Sequence, residues 1–569
     1  MKIIYLIALF FLATSLGRFL PERQTAAPPD QPPRAVYCAP SFDPARAGRG
    51  NAPLLKGLGG FKYKITTRSA KAQRFFSQGL ALMYGFNHGE ALRSFYTAIQ
   101  HDSACAMAWW GVAMVLGPNY NAALDPAVLQ EINTAISNAV KYSTETTASE
   151  VALINAVALR FPSAPVDDMK PYYEAYANAM QVASLQHPGD GDIATLYADA
   201  LMNLHPWDLY LKDGTPQPWT AAIIDALEVV LKKFPKHPGA IHLYIHATES
   251  SADPGRALPY ADRLADIMPA SGHLVHMPSH TYIRTGDYHK GVLVTEQAGI
   301  ADSSYVAQCK VQGTYAIMYY PHNIHFLAAC AFMEGNSRKA IDAAWHVSRK
   351  ADRNALPTNP SVQHFYSIPY YVLVHMGKWN EILSLTHPGE TLKYPAAVWH
   401  YARGMAYGAT GNLAAANREL QALKNFAADE SLKNQRIWEM NSVSDLVQIA
   451  TKILEGELLC RQRQFEPAFK LFREAAVIED GLVYQEPPDW FFSVRHTWGH
   501  WFAESGRYAE AEQVYREDMK VHPENGWALM GLHNSLKGQG KDTEANAVID
   551  RFRKAWKWAD IQITSSRKM

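Results

Sequence analysis

The chain lacks the marks of most common activities. Its 54 basic and 54 acidic side chains cancel at neutral pH, and no long basic run stands out. The phosphate-neutralising field of a nucleic-acid binder is therefore missing. Cysteine is scarce: Cys38, Cys105, Cys309, Cys330 and Cys460 are the only ones in 569 residues. They are far apart and form no CxxC pair, which excludes a disulfide scaffold and a thiolate metal site. They read as small buried apolar residues, with the odd count leaving at least one free thiol. No GxSxG, P-loop or GxGxxG stands in its required context, so neither a serine nucleophile nor a nucleotide site has support. Alternating strand patterns are also missing.

Long apolar runs are confined to the start. One lysine precedes the run from Ile3 to Leu16, followed by Gly17 and Arg18. That is too short for a comfortable membrane span and has the shape of a secretory signal, expected over residues 1–20. With no later spanning segment, the mature chain is expected to be exported, either periplasmic or secreted. Residues 21–65 are rich in Pro, Gly and Ala (AAPPDQPPRA, GRGNAPLLKGLGGF) and read as a linker or loosely packed arm.

What the chain has in abundance is helical pattern, and the pattern repeats. In ESGRYAEAEQVYREDMKVHP, Gly506 is followed five residues later by Ala511, then by Tyr515 and Pro523; the next unit places Gly540, Ala545, Ile549 and Phe552 in the same order, its alanine 34 residues on. Gly335 likewise precedes Ala340, Gly411 precedes Ala416, Gly286 precedes Gly291 and Gly377 precedes Ile382; Ala91, Ala257 and Ala468 head similar units. Physically this is a helical hairpin. Glycine ends the first helix in a left-handed cap, and the small residue lets the second helix approach the first. The motif resembles the tetratricopeptide repeat, a 34-residue helix–turn–helix unit. The whole chain resembles exported bacterial proteins of that family. The resemblance implies an all-α, right-handed superhelical solenoid of about eight to nine hairpins over residues 66–563. First helices would line the concave face, a surface suited to ligands. It brings no activity.

Histidine supplies the chemical signal. Counted back from the alanine-equivalent position of each repeat, His242, His276 and His325 all lie 15 residues before it, His246 and His280 lie 11 before, and His273 and His322 lie 18 before. Offsets of 18, 15 and 11 share one helix face. Stacking three repeats is expected to gather these seven histidines in a groove at 242–325, on helices roughly 8–10 Å apart. Imidazole suits copper, zinc, iron and nickel, and three histidines make a usual ligand set. Seven exceed one ion's needs, so either two or three ions are held or some of the seven only support the ligands; copper stands slightly ahead of zinc. Glu249, one turn after His246, could be a ligand, an orienting partner or a general base. A peptide-binding groove or a pH-sensing cluster are the competing readings.

Other motifs are weaker. His496 and His500 repeat two of the offsets several repeats away and read as groove-lining residues. His205 and Asp208 are outside candidates for the site. Asn87 and His88 read as turn residues. The expected function is a metal-dependent enzyme, oxidoreductase ahead of hydrolase, with a small molecule or peptide entering past the insertion between Ser303 and Pro321. The alternatives are a scaffold for a peptide or partner protein and a metal store or carrier.

Overall fold

The hairpin is built at its turn. At Gly506 the backbone is left-handed, with φ +78°. Arg507 N–H donates to the Phe502 carbonyl and Gly506 N–H to that of Ala503, the paired bonds that satisfy the last carbonyls of a helix. Gly286, Gly335, Gly377, Gly411 and Gly540 are left-handed in the same way. Five residues on, Ala340, Ala416, Ala511 and Ala545 are fully buried where the two helices touch. At Gly291 even a β-carbon would meet the Cys330 sulfur at 2.6 Å.

These turns generate an all-α chain. The structure, a computed structural model, describes residues 51–309 and 315–568; the signal peptide expected at 1–20 and the arm up to residue 50 lie outside the described residues. Among the described residues the only strands are Arg436–Ile437 and Asn441–Ser442, one antiparallel pair. Successive helices pack on one another along the chain, and first helices of neighbouring hairpins also meet. This is the expected tetratricopeptide-like solenoid. No helix among the described residues is long and apolar enough to cross a membrane. Residues 51–66 form no helix or strand. They are tied to the first hairpins by Ala52 N–H on Thr97 Oγ1 (2.9 Å) and Leu55 N–H on Gln78 Oε1 (2.8 Å). Cys105, Cys330 and Cys460 are buried free thiols, and Cys309 is half-buried.

The solenoid bends back on itself. Trp527 Nε1 donates to the Phe332 carbonyl (3.0 Å), and Tyr288 OH to that of Pro523 (2.8 Å). Asp560 accepts Ser337 N–H (2.6 Å) and Arg338 N–H (3.0 Å) at the start of the Ser337–Lys350 helix. Residues 483–493, between the Phe465–Gly481 and Val494–Glu504 helices, turn inward, burying Glu486, Asp489, Trp490, Phe491 and Phe492. The concave side around the histidines is therefore plugged by the protein's own chain, where an open groove was expected.

Candidate metal centre

Three helical segments carry the histidines: Pro238–Thr248, the pair Gly272–His276 and Pro278–Thr285, and Tyr320–Met333. Proline opens the first and third in their first turn, where its missing N–H costs nothing. Pro278, which can neither donate an N–H to the preceding turn nor fit its ring against it, splits the middle one between His276 and His280. None of His242, His246, His273, His276, His280, His322 and His325 is more than 3% exposed. A peptide lying on the surface would touch none of them.

The lattice resolves into two groups of three. His242, His246 and His273 place one ring nitrogen each within 4.8 Å of one another; so do His276, His280 and His322. His273 Nε2 faces His242 Nε2 at 3.1 Å, and His276 Nε2 faces His280 Nε2 at 3.0 Å. Two nitrogens bound tetrahedrally to one ion, each at about 2.1 Å, would stand roughly 3.4 Å apart, so these spacings need only small shifts. His325 does not join either group. It stacks on Phe491 (5.6 Å) beside His364, because its place in the helix turns it toward the plug.

The opposite ring nitrogens are held by the protein. His242 Nδ1 lies 2.6 Å from the Tyr84 carbonyl, an acceptor, so Nδ1 carries the proton. His246 Nδ1 meets Glu249 Oε1 at 3.0 Å. His280 Nδ1 meets Glu249 Oε2 at 2.7 Å and Glu486 Oε2 at 3.0 Å. With those protons on Nδ1, the Nε2 atoms of His242 and His246 are left as acceptors aimed inward. His246 Nε2 has no hydrogen-bond partner at all. Ser279 Oγ lies 3.2 Å from His276 Nδ1.

Burial sets the charge states. Desolvation, then neighbouring histidines, hold His242, His273 and His276 well below the usual imidazole range, and burial pushes His322 down to about 3. His246 is lowered by burial against the pull of Glu249. His280 moves the other way: burial opposes its charge, but Glu249 and Glu486 raise it. Burial works against the Glu249 carboxylate, yet His280 and His246 hold it low. Most of the rings are thus neutral at physiological pH, the form that binds metal.

Aromatic rings enclose both groups. Phe86 lies 4.4 Å from His242 and 5.7 Å from His273. Tyr120 and Trp207 flank His246 at 5.3 and 5.6 Å, and Tyr319 sits 4.9 Å from His273. Phe326 contacts His276, His280 and His322 at 4.6, 4.5 and 5.1 Å. Tyr319 comes from the insertion expected to admit substrate; among its described residues it covers His273 instead.

The remaining candidates lie elsewhere. His496 pairs with Asp518 (3.1 Å) beside His375. His500 meets Trp501 edge to face at 5.2 Å. His205 stacks on Trp219 at 3.8 Å, and Asp208 accepts Gln217 Nε2. Glu486 escaped the repeat reading because it lies in a connection outside the register. Two acids, Glu486 and Asp489, in the aromatic run YQEPPDWFF were the available signal.

No family model and no curated protein matches the chain. Among solved structures it is similar to the human IFIT1 dimer with m7Gppp-AAAA, at 14% identity over 86% of this chain and 91% of that one, TM-score 0.29. It is also similar to yeast Tom70, at 10% identity over 85% and 90%, TM-score 0.28. At such scores these likenesses say nothing about ligand or activity.

Proposed function

We propose that the protein is a metalloprotein holding one ion on His242, His246 and His273 and a second on His276, His280 and His322, and that it acts as a metal-dependent oxidoreductase. The observation that carries this reading is the gathering of six buried histidines into two groups of three facing ring nitrogens. Among these, His246 Nε2 is a buried acceptor with no hydrogen-bond partner, which is costly unless a cation meets it. All-imidazole donors favour copper or zinc over calcium or magnesium, with copper first. Bound copper would supply dioxygen activation or electron transfer; bound zinc would supply an acidified water for hydrolysis.

The chain's own residues do the rest. Glu249 is engaged by two imidazoles at once, which favours an orienting role over that of a general base. Glu486 and Ser279 orient the second group. The aromatic rings exclude water. Metal storage or delivery without catalysis is the second reading, favoured by the burial of every ligand. A non-catalytic scaffold suits the solenoid but leaves the two buried histidine groups and the partnerless His246 Nε2 unexplained.

Metal analysis of the purified full chain tests the reading. Two copper or zinc ions per chain are expected, together with an azide-dependent spectral change if a coordination position is open. Folded protein that takes up neither copper(II), zinc(II) nor cobalt(II) overturns it.

A further inference from the structure

The residue five before the buried alanine is a left-handed glycine in hairpin after hairpin: Gly335, Gly411, Gly506 and Gly540. In the first hairpin that residue, five before Ala91, is Phe86. Its φ is +51°, and it makes the same cap, with Phe86 N–H on the Met83 carbonyl (3.0 Å) and Asn87 N–H on that of Leu82 (2.9 Å). A β-carbon is disfavoured in this conformation, and strained positions that persist cluster at functional sites. Arg463 also occupies a glycine position, at φ +60°, but its side chain is exposed and reaches nothing comparable. The Phe86 ring is buried against His242, His246 and His273 at 4.4, 6.0 and 5.7 Å.

Phe86 has a second face. Together with His242 it lines a cavity of about 30 Å³ whose polar walls are His88, Asn119, Arg160 and Asp199. Arg160 is fully buried, and its Nε has no hydrogen-bond partner. Asn119 Nδ2 lies 3.3 Å from His88 Nε2. The volume holds about two waters, and the walls offer the polar partners a water needs. Among the described residues, the histidine groups are otherwise enclosed by aromatic rings and by the inward loop.

We propose that this cavity is the port through which water-sized ligands reach the first three-histidine group, and that Phe86 is its gate. The position demands a residue that can hold three imidazoles in place while closed and swing aside on a turn, and the sequence accepts backbone strain to put a flat ring there. Trp207, left-handed at φ +58° and 5.6 Å from His246, is the fixed wall opposite. Its Nε1 is anchored on Asn121 Oδ1 at 3.2 Å. The inference rests on the metal reading for its biological meaning, but the gate is testable without metal.

The test uses the full-length chain and two probes. The first is carbethoxylation of the metal-free protein by diethyl pyrocarbonate, mapped to His242 and His273 by peptide mass. The second is release of bound cobalt(II) to a chelator. Phe86→Gly, which fits the backbone and removes the ring, is expected to raise both rates about tenfold or more by lowering the cost of local opening. Phe86→Leu, which keeps an apolar plug, is expected to raise them less and carries the test if the glycine variant does not fold. Leu532→Ala, at a fully buried position in the C-terminal hairpins, controls for lost stability. If neither Phe86 variant differs from Leu532→Ala in labelling, the gate is overturned, whether or not cobalt binds. If labelling rises while the parent binds no cobalt, the gate stands and the metal reading falls.

Discussion

Glu249 and His280 meet at 2.7 Å through Oε2 and Nδ1, while the other oxygen of Glu249 takes His246 Nδ1 at 3.0 Å. One buried carboxylate therefore orients one imidazole of each three-histidine group. A partner of this kind typically contributes 10- to 100-fold in metal affinity. Glu249→Gln is expected to weaken both ions together by about that factor, because an amide can serve one Nδ1–H as acceptor but not two. Ser279→Ala, beside His276 alone, is expected to weaken only the second. Chelator competition on each variant, resolving two affinities, checks the contrast.

The partition of the seven histidines makes a stoichiometric prediction. His242→Ala and His322→Ala are each expected to lose one ion of two, since each removes a member of a different group. His325→Ala is expected to keep both, because that ring stacks on Phe491 and serves neither group. Metal-to-protein ratios near one, one and two, against two for the parent, are the expected measurements. Loss of both ions in His242→Ala alone would mean a single shared cluster.

Much of this was legible in the sequence, and the limits are physical. Glycine-to-alanine spacing exposed the hairpins because a left-handed cap and a close helix contact each admit few residues, and that pattern survives at Gly506 and Ala511 as at Gly335 and Ala340. The histidine offsets pointed to the helix face that brings six of the seven histidines together in two groups. Grouping them was not legible. It follows from the break at Pro278 and from how far neighbouring helices slide, which turns His273 toward His242 and His276 toward His280. Closure was not legible either. The contacts of Trp527 with Phe332 and of Glu486 with His280 join residues about 200 apart, and no repeat period records them.

The buried Asp489 gives the fold a pH dependence of known sign. It is 2% exposed, and burial pushes its carboxyl up to about 7 against the Asn441 hydrogen bond. An unfolded aspartate titrates near 3.9. Between those values the folded state keeps a proton that the unfolded state has released. Stability from this group is therefore full below about pH 4 and falls as pH rises towards 7, by at most about 1.4 kcal/mol per unit. Asp489→Asn carries no proton to lose. Denaturation of both proteins at pH 4, 5.5 and 7 is expected to show the variant gaining on the parent with rising pH. A constant difference would mean that the carboxyl is ionised throughout.

The C-terminal tail is held to the solenoid by a buried ion pair. Arg567 is 5% exposed and Glu457 fully buried, and the guanidinium spans the carboxylate with Nη1 on Oε2 at 2.7 Å and Nη2 on Oε1 at 3.2 Å. Ser566 next to it donates to the His496 carbonyl at 2.7 Å, so the tail is fastened to the Val494–Glu504 helix as well. Removing one partner of a buried pair strands the other charge, at about 3–5 kcal/mol. Here Arg461 Nη2 at 2.9 Å and Trp501 Nε1 at 2.8 Å remain on Glu457, which puts Arg567→Met near the lower end, about 3 kcal/mol. Replacing both residues, as Arg567→Met with Glu457→Leu, removes the stranded carboxylate but also the partner of Trp501 Nε1 and of Arg461, whose side chain is 17% exposed and can turn to water; it is expected to recover part of that loss, because well-packed apolar groups often match a buried pair. Urea denaturation of the two variants checks this. A double variant no more stable than the single one would place the tail's contribution in its backbone contacts rather than in the charge.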